Sequence, residues 1–495
     1  MDGYLEVLGL LRMPVLIIVT SYIIAAAVYN CWYYYVIYSG IDRNCKAPLP
    51  PGGMGWPVIG ESFKLLTQGS KFYTEKFQRN NCRMFKTHLF GRPTIRIYGA
   101  ENLHTILHGE NNIVESQWPQ STRNLLGNVL TLSSGDRHTM LRRYVSRAFT
   151  HEALQGYVEL SLPLIQDGID SWCTEKSVLA FDATRRLLFD IAAVVLCGFD
   201  HKEIEGGEMA DTFMDFTKGF FTLPFDLPGT PYRKALLAKK ILLSRLDSVV
   251  ERKMKTSPEE DTQDALRILM DHVDEEAEGG HMTTESLKAD MVDLLNAGFN
   301  TTSSAATTLL YHISRNPDLL KNIRQELIQS GLIDRRNGLT FDRLVECKYL
   351  TNVVREGLRI APPVGGGFRK VLKTFELEGY QIPQGWTVLY SIRDTLSFSD
   401  SYFDRDQFDP DRFSPERKED QIGGRYNYPI FGGGSRSCMG KQFAQLILRI
   451  LLVELARTCE VEPLAKDVQF NFLPIPHPVN GLPLKFNRLS PDDVI

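Results

Sequence analysis

The chain has 495 residues, well beyond the ~250–300 at which one hydrophobic core usually stops growing, so it holds either one unusually large fold or several domains. Its 43% apolar content excludes a disordered chain, and a net charge of -4 gives no global case for nucleic-acid binding. Eight scattered cysteines with no C-x-x-C pair argue against a disulfide scaffold and for a reducing compartment.

From the N-terminus, the first feature is a run from Met13 to Gly40 without a charged residue. Its 28 residues exceed the ~20 a helix needs to cross the hydrocarbon core. A cleaved leader is the alternative, but the run is about twice a leader's apolar core, and Tyr33, Tyr34 and Tyr35 suit a membrane interface. We read an uncleaved single-pass anchor. Arg43 and Lys46 follow the span while Asp2, Glu6 and Arg12 precede it, which favours a cytosolic body. Residues 48–60, PLPPGGMGWPVIG, resist helix and make a stiff turn. The simplest partition is an anchor and linker over 1–47 and one catalytic domain over 48–495.

Within that domain helical patterns dominate, with a smaller β portion. TIRIYG (94–99), FELEGYQI (375–382) and WTVLYSI (386–392) alternate and are expected as strands. The acidic EEAEGGHMTTE (275–285) is expected as a surface loop. After it, apolar spacing predicts a long central helix from Thr284, its N-cap, to Arg315, interrupted by Gly298. A second amphipathic helix is expected over Lys441–Arg457.

Directly before that second helix stands FGGGSRSCMGKQF (431–443). A phosphate loop fails, because five residues rather than four separate Gly434 from Gly440 and Gln442 stands where a magnesium-binding hydroxyl belongs. A zinc knuckle fails for want of a second cysteine or a histidine nearby. A buried structural thiol remains open. The glycines let the backbone approach something flat, the helix N-terminus favours a thiolate at Cys438, and Arg436 can pair with a carboxylate. Together these describe haem held by cysteine.

Phe431-x-x-Gly434-x-Arg436-x-Cys438-x-Gly440 resembles, in full, the haem-ligand signature of the cytochrome P450 monooxygenases. The resemblance implies the mainly helical cytochrome P450 fold, haem b with Cys438 as axial iron ligand, and Phe431 against the ligand loop. EGLR supplies Glu356 and Arg359, matching the family's Glu-x-x-Arg pair, and FDPDRF supplies Arg412, which would complete a structural triad. AGFNTT (297–302) resembles the family's oxygen-binding segment, so Gly298 would mark a close ligand and Thr301 the hydroxyl that passes protons. Asn300 departs from the pattern, standing where relatives carry an acid; an amide can hydrogen-bond water but does not titrate. By position, Arg436, Arg369 and Arg142 would meet the haem propionates, with His138 where many relatives have tryptophan.

THLFGRPTIR, QWPQSTRNLLG, FFTLPFDLPGT, GGGFRKVLKTFELEGYQIP and the ligand loop with its helix resemble the retinoic-acid-hydroxylating branch. That likeness implies a retinoid substrate, one long polyene ending in a carboxylate. Trp118, Phe221, Phe225, Phe299, Val364 and Phe368 are then expected tunnel walls, with Arg92 or Arg123 at the carboxylate. There is no G-x-G-x-x-G, so a nicotinamide is expected to bind elsewhere. The resemblance implies electrons from NADPH–cytochrome P450 reductase, docking near Lys441 and Arg449 on the endoplasmic reticulum membrane. The rival expectations are a branch acting on a sterol or other isoprenoid, an isomerase that does not need an acid at 300, or haem or retinoid binding without turnover, which only Asn300 supports.

Overall fold

Residues 2–38, 40–273 and 283–490 are described by a computed structural model, with side chains from Leu16 onward. Most of the acidic stretch expected as a loop, its residues 275–282, lies outside them.

The expected anchor is one helix, Asp2–Tyr38. Its stretch Leu16–Ile37 is long and apolar enough to cross a membrane, and side chains such as Leu16, Ile18 and Ile23 are left uncovered by protein. Uncovered apolar surface on this scale is costly in water, and a bilayer would cover it.

The chain divides into two compact units. The smaller comprises residues up to Tyr98, Asn112–Glu115 and Phe368–Tyr390. Its sheet begins with a hairpin, Met84–Leu89 against Arg92–Ile97, closed by Phe90 and Gly91, both at positive φ. Arg92–Ile97 then runs parallel to Thr387–Ser391, and the sheet continues through Gly366–Val371 to Val114–Ser116. Strands over 92–97 and 387–391 match the alternating patterns. FELEGYQI, expected as one strand, is instead a tight hairpin of Phe375–Leu377 and Tyr380–Ile382. Glu378 (φ 49°) and Gly379 (φ 78°) reverse the chain, a left-handed pair that favours glycine and matches strand twist.

The larger unit is helical. Its centre is Thr284–Arg315, 32 residues, packed most extensively against the helix Ala180–Cys197. The N-cap is Thr283, one residue before the expected Thr284; its hydroxyl accepts from the Ser286 N–H in a capping box. Lys441–Thr458 is almost wholly buried from Gln445 onward and lies against the helix His151–Thr174.

The expected triad forms. Glu356 sits on the helix Lys348–Ile360 and takes two bonds from Arg359, at 2.7 and 2.9 Å. Arg412 adds a third at 3.1 Å, and the Asp409 N–H a fourth at 2.9 Å. All three side chains are buried, which is tolerable only because each polar atom finds a partner. Glu419 completes the arrangement from the other side, accepting from Arg412 at 2.9 Å, so two carboxylates face two guanidiniums. Sequence reading missed Glu419, since nothing local marks it among the neighbouring acids.

Candidate haem site

The ligand loop explains its glycines one by one. Gly434 has φ 62°, and a Cβ there would lie 2.2 Å from the Leu107 carbonyl oxygen. A Cβ on Gly433 would overlap the Tyr426 hydroxyl at 2.2 Å, and that hydroxyl is hydrogen-bonded to His108 at 2.6 Å. The loop therefore lies flush on the helix Ala100–His108 and the Tyr426 turn, leaving its other side open. The Cys438 N–H donates to the Phe431 carbonyl at 2.8 Å, closing the loop just ahead of the helix that begins at Lys441.

Cys438 is solvent-accessible, yet protein crowds it enough that burial pushes its thiol pKa up. A side chain both accessible and enclosed faces an internal space. The Gly440 N–H, Arg142 and Lys441 pull the pKa the other way but do not prevail. The backbone N–H at the helix N-terminus does lower the pKa, as expected, but desolvation outweighs it in the metal-free site, and a coordinating metal would deprotonate the thiol.

Around the cysteine, Arg142 donates to Ser437 Oγ at 3.1 Å from the helix Gly135–Val145. Arg436 is ion-paired with Glu110 at 3.0 Å and donates to the Thr131 and Ser133 carbonyls. Glu110 was not anticipated; an isolated acid in HGENN carries no signal until the fold brings it to Arg436. His138 is buried, and its pKa is held down to about 4 by desolvation, then by Arg436 and Arg142. Phe431 carries the Lys441 ammonium 5.7 Å from its ring centroid.

On the central helix, Ala297 is exposed and Thr301 half-buried in a segment otherwise deep in the protein, so this face also borders open space. The Thr301 hydroxyl donates to the Ala297 carbonyl at 2.6 Å, and the Asn300 amide to Asn296 Oδ1 at 3.4 Å. Gly298 also has a packing reason. A Cβ there would lie 3.1 Å from Leu196 and 3.8 Å from Phe443, so the glycine serves close helix packing.

The expected substrate residues separate. Trp118 is half-buried, and its indole Nε1 is shielded from solvent with no acceptor among the described residues. Val364 is 44% exposed at the end of a buried stretch. Phe299 is no tunnel wall: it is fully buried between Phe189 and Phe213, ring centroids 5.6 and 5.8 Å away, on the side of the helix away from Ala297. Phe221 and Phe225 stand in solvent with Leu223 and Leu227 on an exposed loop, so they too are misassigned as walls. Arg123 is exposed. Arg92, Phe368 and Arg369 belong to the smaller unit, where Arg92 is exposed, Phe368 half-buried and Arg369 buried against Tyr390, 5.1 Å from its ring. Arg449 is buried and donates to Thr351, so it cannot form part of a docking face.

An accessible cysteine on a glycine cradle, with Arg142, Arg436 and His138 close by, suits a flat metal-bearing group with carboxylates at its edge. The donor set is that of a haem-thiolate protein. The family profile for Cytochrome P450 matches residues 50–476. Cytochrome P450 26B1 of Mus musculus is 39% identical over 457 residues, 91% of this chain and 88% of that one. Cytochrome P450 26A1 of Gallus gallus is 38% identical over 465 residues, 91% and 93% of the two chains. Among solved structures, "Retinoic acid bound cyanobacterial CYP120A1" matches with a TM-score of 0.83 at 30% identity, covering 90% of this chain and 100% of that one. The chain belongs to the cytochrome P450 family and is a monooxygenase of that family.

Proposed function

We propose that this monooxygenase hydroxylates a retinoid, all-trans retinoic acid foremost, using haem b, dioxygen and electrons passed from NADPH by cytochrome P450 reductase. The observation that carries this reading is the likeness, over nine-tenths of the chain, to a structure whose title names bound retinoic acid. Cys438 would hold the iron, and Arg142, Arg436 and His138 would meet the propionates. Once bound there, haem supplies the oxygen activation that hydroxylates an unactivated carbon. Thr301 presents a hydroxyl to the open space and keeps it oriented through its bond to Ala297. Asn300 orders water by hydrogen bonding without exchanging a proton itself. Trp118 Nε1 supplies a donor for a carboxylate, and Val364 an apolar contact for the polyene.

A cleft of about 340 Å³ beside the ligand loop, lined by His138, Thr139, Arg142, Arg143, Ser146 and Ser435, supports docking of an acidic electron donor. The apolar N-terminal helix supports anchoring in the endoplasmic reticulum with the body in the cytosol.

The test is NADPH-driven turnover of all-trans retinoic acid by membranes containing the protein and reductase, with Cys438→Ala as control. Hydroxylated product that vanishes in the control supports the proposal. A normal reduced carbon-monoxide spectrum without product rejects the retinoid, and binding shifts with sterols then point to the other isoprenoid reading. Retinoid binding without turnover of any substrate would assign the effect to Asn300.

A further inference from the structure

Two acids on the N-terminal half of the central helix have no part in the site described so far. Asp290 and Asp293 are one turn apart, 1% and 2% exposed. Asp290 Oδ1 accepts from the Leu130 N–H at 3.0 Å, and Asp293 Oδ2 from the Thr131 N–H at 3.0 Å. These amides open the single 3₁₀ turn Leu130–Leu132, where backbone donors have no partner within the turn. The opposite oxygens, Asp290 Oδ2 and Asp293 Oδ1, are shielded from solvent and have no partner among the described residues. Burial pushes the two carboxyls up to about 7 and about 6. Half-satisfied carboxyl groups in the interior are costly, so the turn they hold has to repay the fold.

The other side of the same segment supplies the reason. Its Thr131 and Ser133 carbonyls accept from the Arg436 guanidinium, two residues before Cys438. Arg137 donates to the Asn128 carbonyl at 3.2 Å, steadying the approach to the turn. Central helix, turn and ligand-loop arginine are thus joined by consecutive hydrogen bonds.

We infer that Asp290 and Asp293 are positioning residues that pin the 130–133 segment so that its carbonyls set the Arg436 guanidinium beside the cysteine loop. The inference holds whichever substrate the enzyme uses, because it concerns retention of the haem. Removing either acceptor frees an amide, lets the turn rotate and deprives Arg436 of its carbonyls.

The experiment loads full-length protein with haem and follows transfer to excess apomyoglobin by absorbance. Asp290→Ala and Asp293→Ala are expected to release haem on the order of 10-fold faster, the upper end of the loss expected for one hydrogen bond. Asp290→Asn and Asp293→Asn keep an acceptor of the same shape and are expected to restore slow release. Ile323→Ala, a core truncation on the helix Asp318–Gln329, is the control for general destabilisation. If the alanine variants do not load haem, Asp293→Ser, whose hydroxyl falls short of the amide, is read against Asp293→Asn in the same way. Release unchanged in the truncated variants, not rescued by asparagine, or equally fast in Ile323→Ala overturns the inference.

Discussion

His138 illustrates how much a single position depends on its surroundings. As a side chain four residues before Arg142 it would ordinarily titrate near 6.5, but desolvation and two guanidiniums hold it to about 4. Its folded pKa is below its unfolded one, so the folded state binds fewer protons between those values. Stability is therefore fully present above about pH 6.5 and is lost as pH falls towards 4, by up to about 3 kcal/mol. His138→Gln is expected to remove that acid-side loss while leaving stability at pH 7.5 little changed. Urea midpoints of the two proteins at pH 7.5 and 5 check it: parallel declines would show that His138 does not carry the effect. Cys438 teaches the same lesson with the opposite sign, since burial there favours the neutral thiol until a metal cation displaces the proton.

Among the elements, the helix Lys348–Ile360 and the irregular segment around Phe403–Glu419 are joined by Glu356, Arg359, Arg412 and Glu419 rather than by regular secondary structure. Breaking one partner of such a network leaves uncompensated buried charge and costs about 3–5 kcal/mol. Glu356→Gln is expected to lower the urea midpoint accordingly, with haem loss following unfolding. The exposed ion pair of Asp334 and Arg336 is the internal contrast, because solvent screens it. Asp334→Asn is expected to leave the midpoint where it was, and equal effects from both substitutions would refute a special role for the buried network. The central helix makes a related point. Gly298 breaks no hydrogen bond; it lets the helix approach Leu196 and Phe443 closely, and the face bearing Ala297 and Thr301 stays open.

For the whole molecule, attachment to a membrane is expected to rest on more than the N-terminal helix. Phe221, Leu223, Phe225 and Leu227 expose between 57% and 70% of their surface on one short loop, a concentration that single scattered apolar residues do not produce. A chain lacking residues 1–38 is expected to keep partial, salt-resistant binding to phospholipid vesicles. Changing the four loop residues to serine in that shortened chain is expected to abolish it. Sedimentation with vesicles in low and high salt measures both, and salt-sensitive residual binding would point to a basic surface instead.

The sequence by itself determined the long apolar N-terminal helix, the cysteine loop, the central and ligand-loop helices and the Glu356–Arg359 pair. Each is a local pattern: an uninterrupted apolar run, glycines at fixed spacing before a thiol, apolar positions at helical period, charges one helical turn apart. What depended on contacts across the chain was illegible there. Glu110, Asp290 and Asp293 are ordinary acids until the fold brings each to an arginine or a backbone amide far away in sequence, and Glu419 is one until its segment turns back onto Arg412. Phe299, Phe221 and Phe225 share a residue type that cannot say whether it faces core, cavity or solvent. FELEGYQI alternates as one strand would, and only the left-handed pair Glu378–Gly379 turns it into two. Even the state of the Cys438 thiol was decided by tertiary structure, because desolvation is a property of everything packed around a group and outweighed the helix terminus beside it.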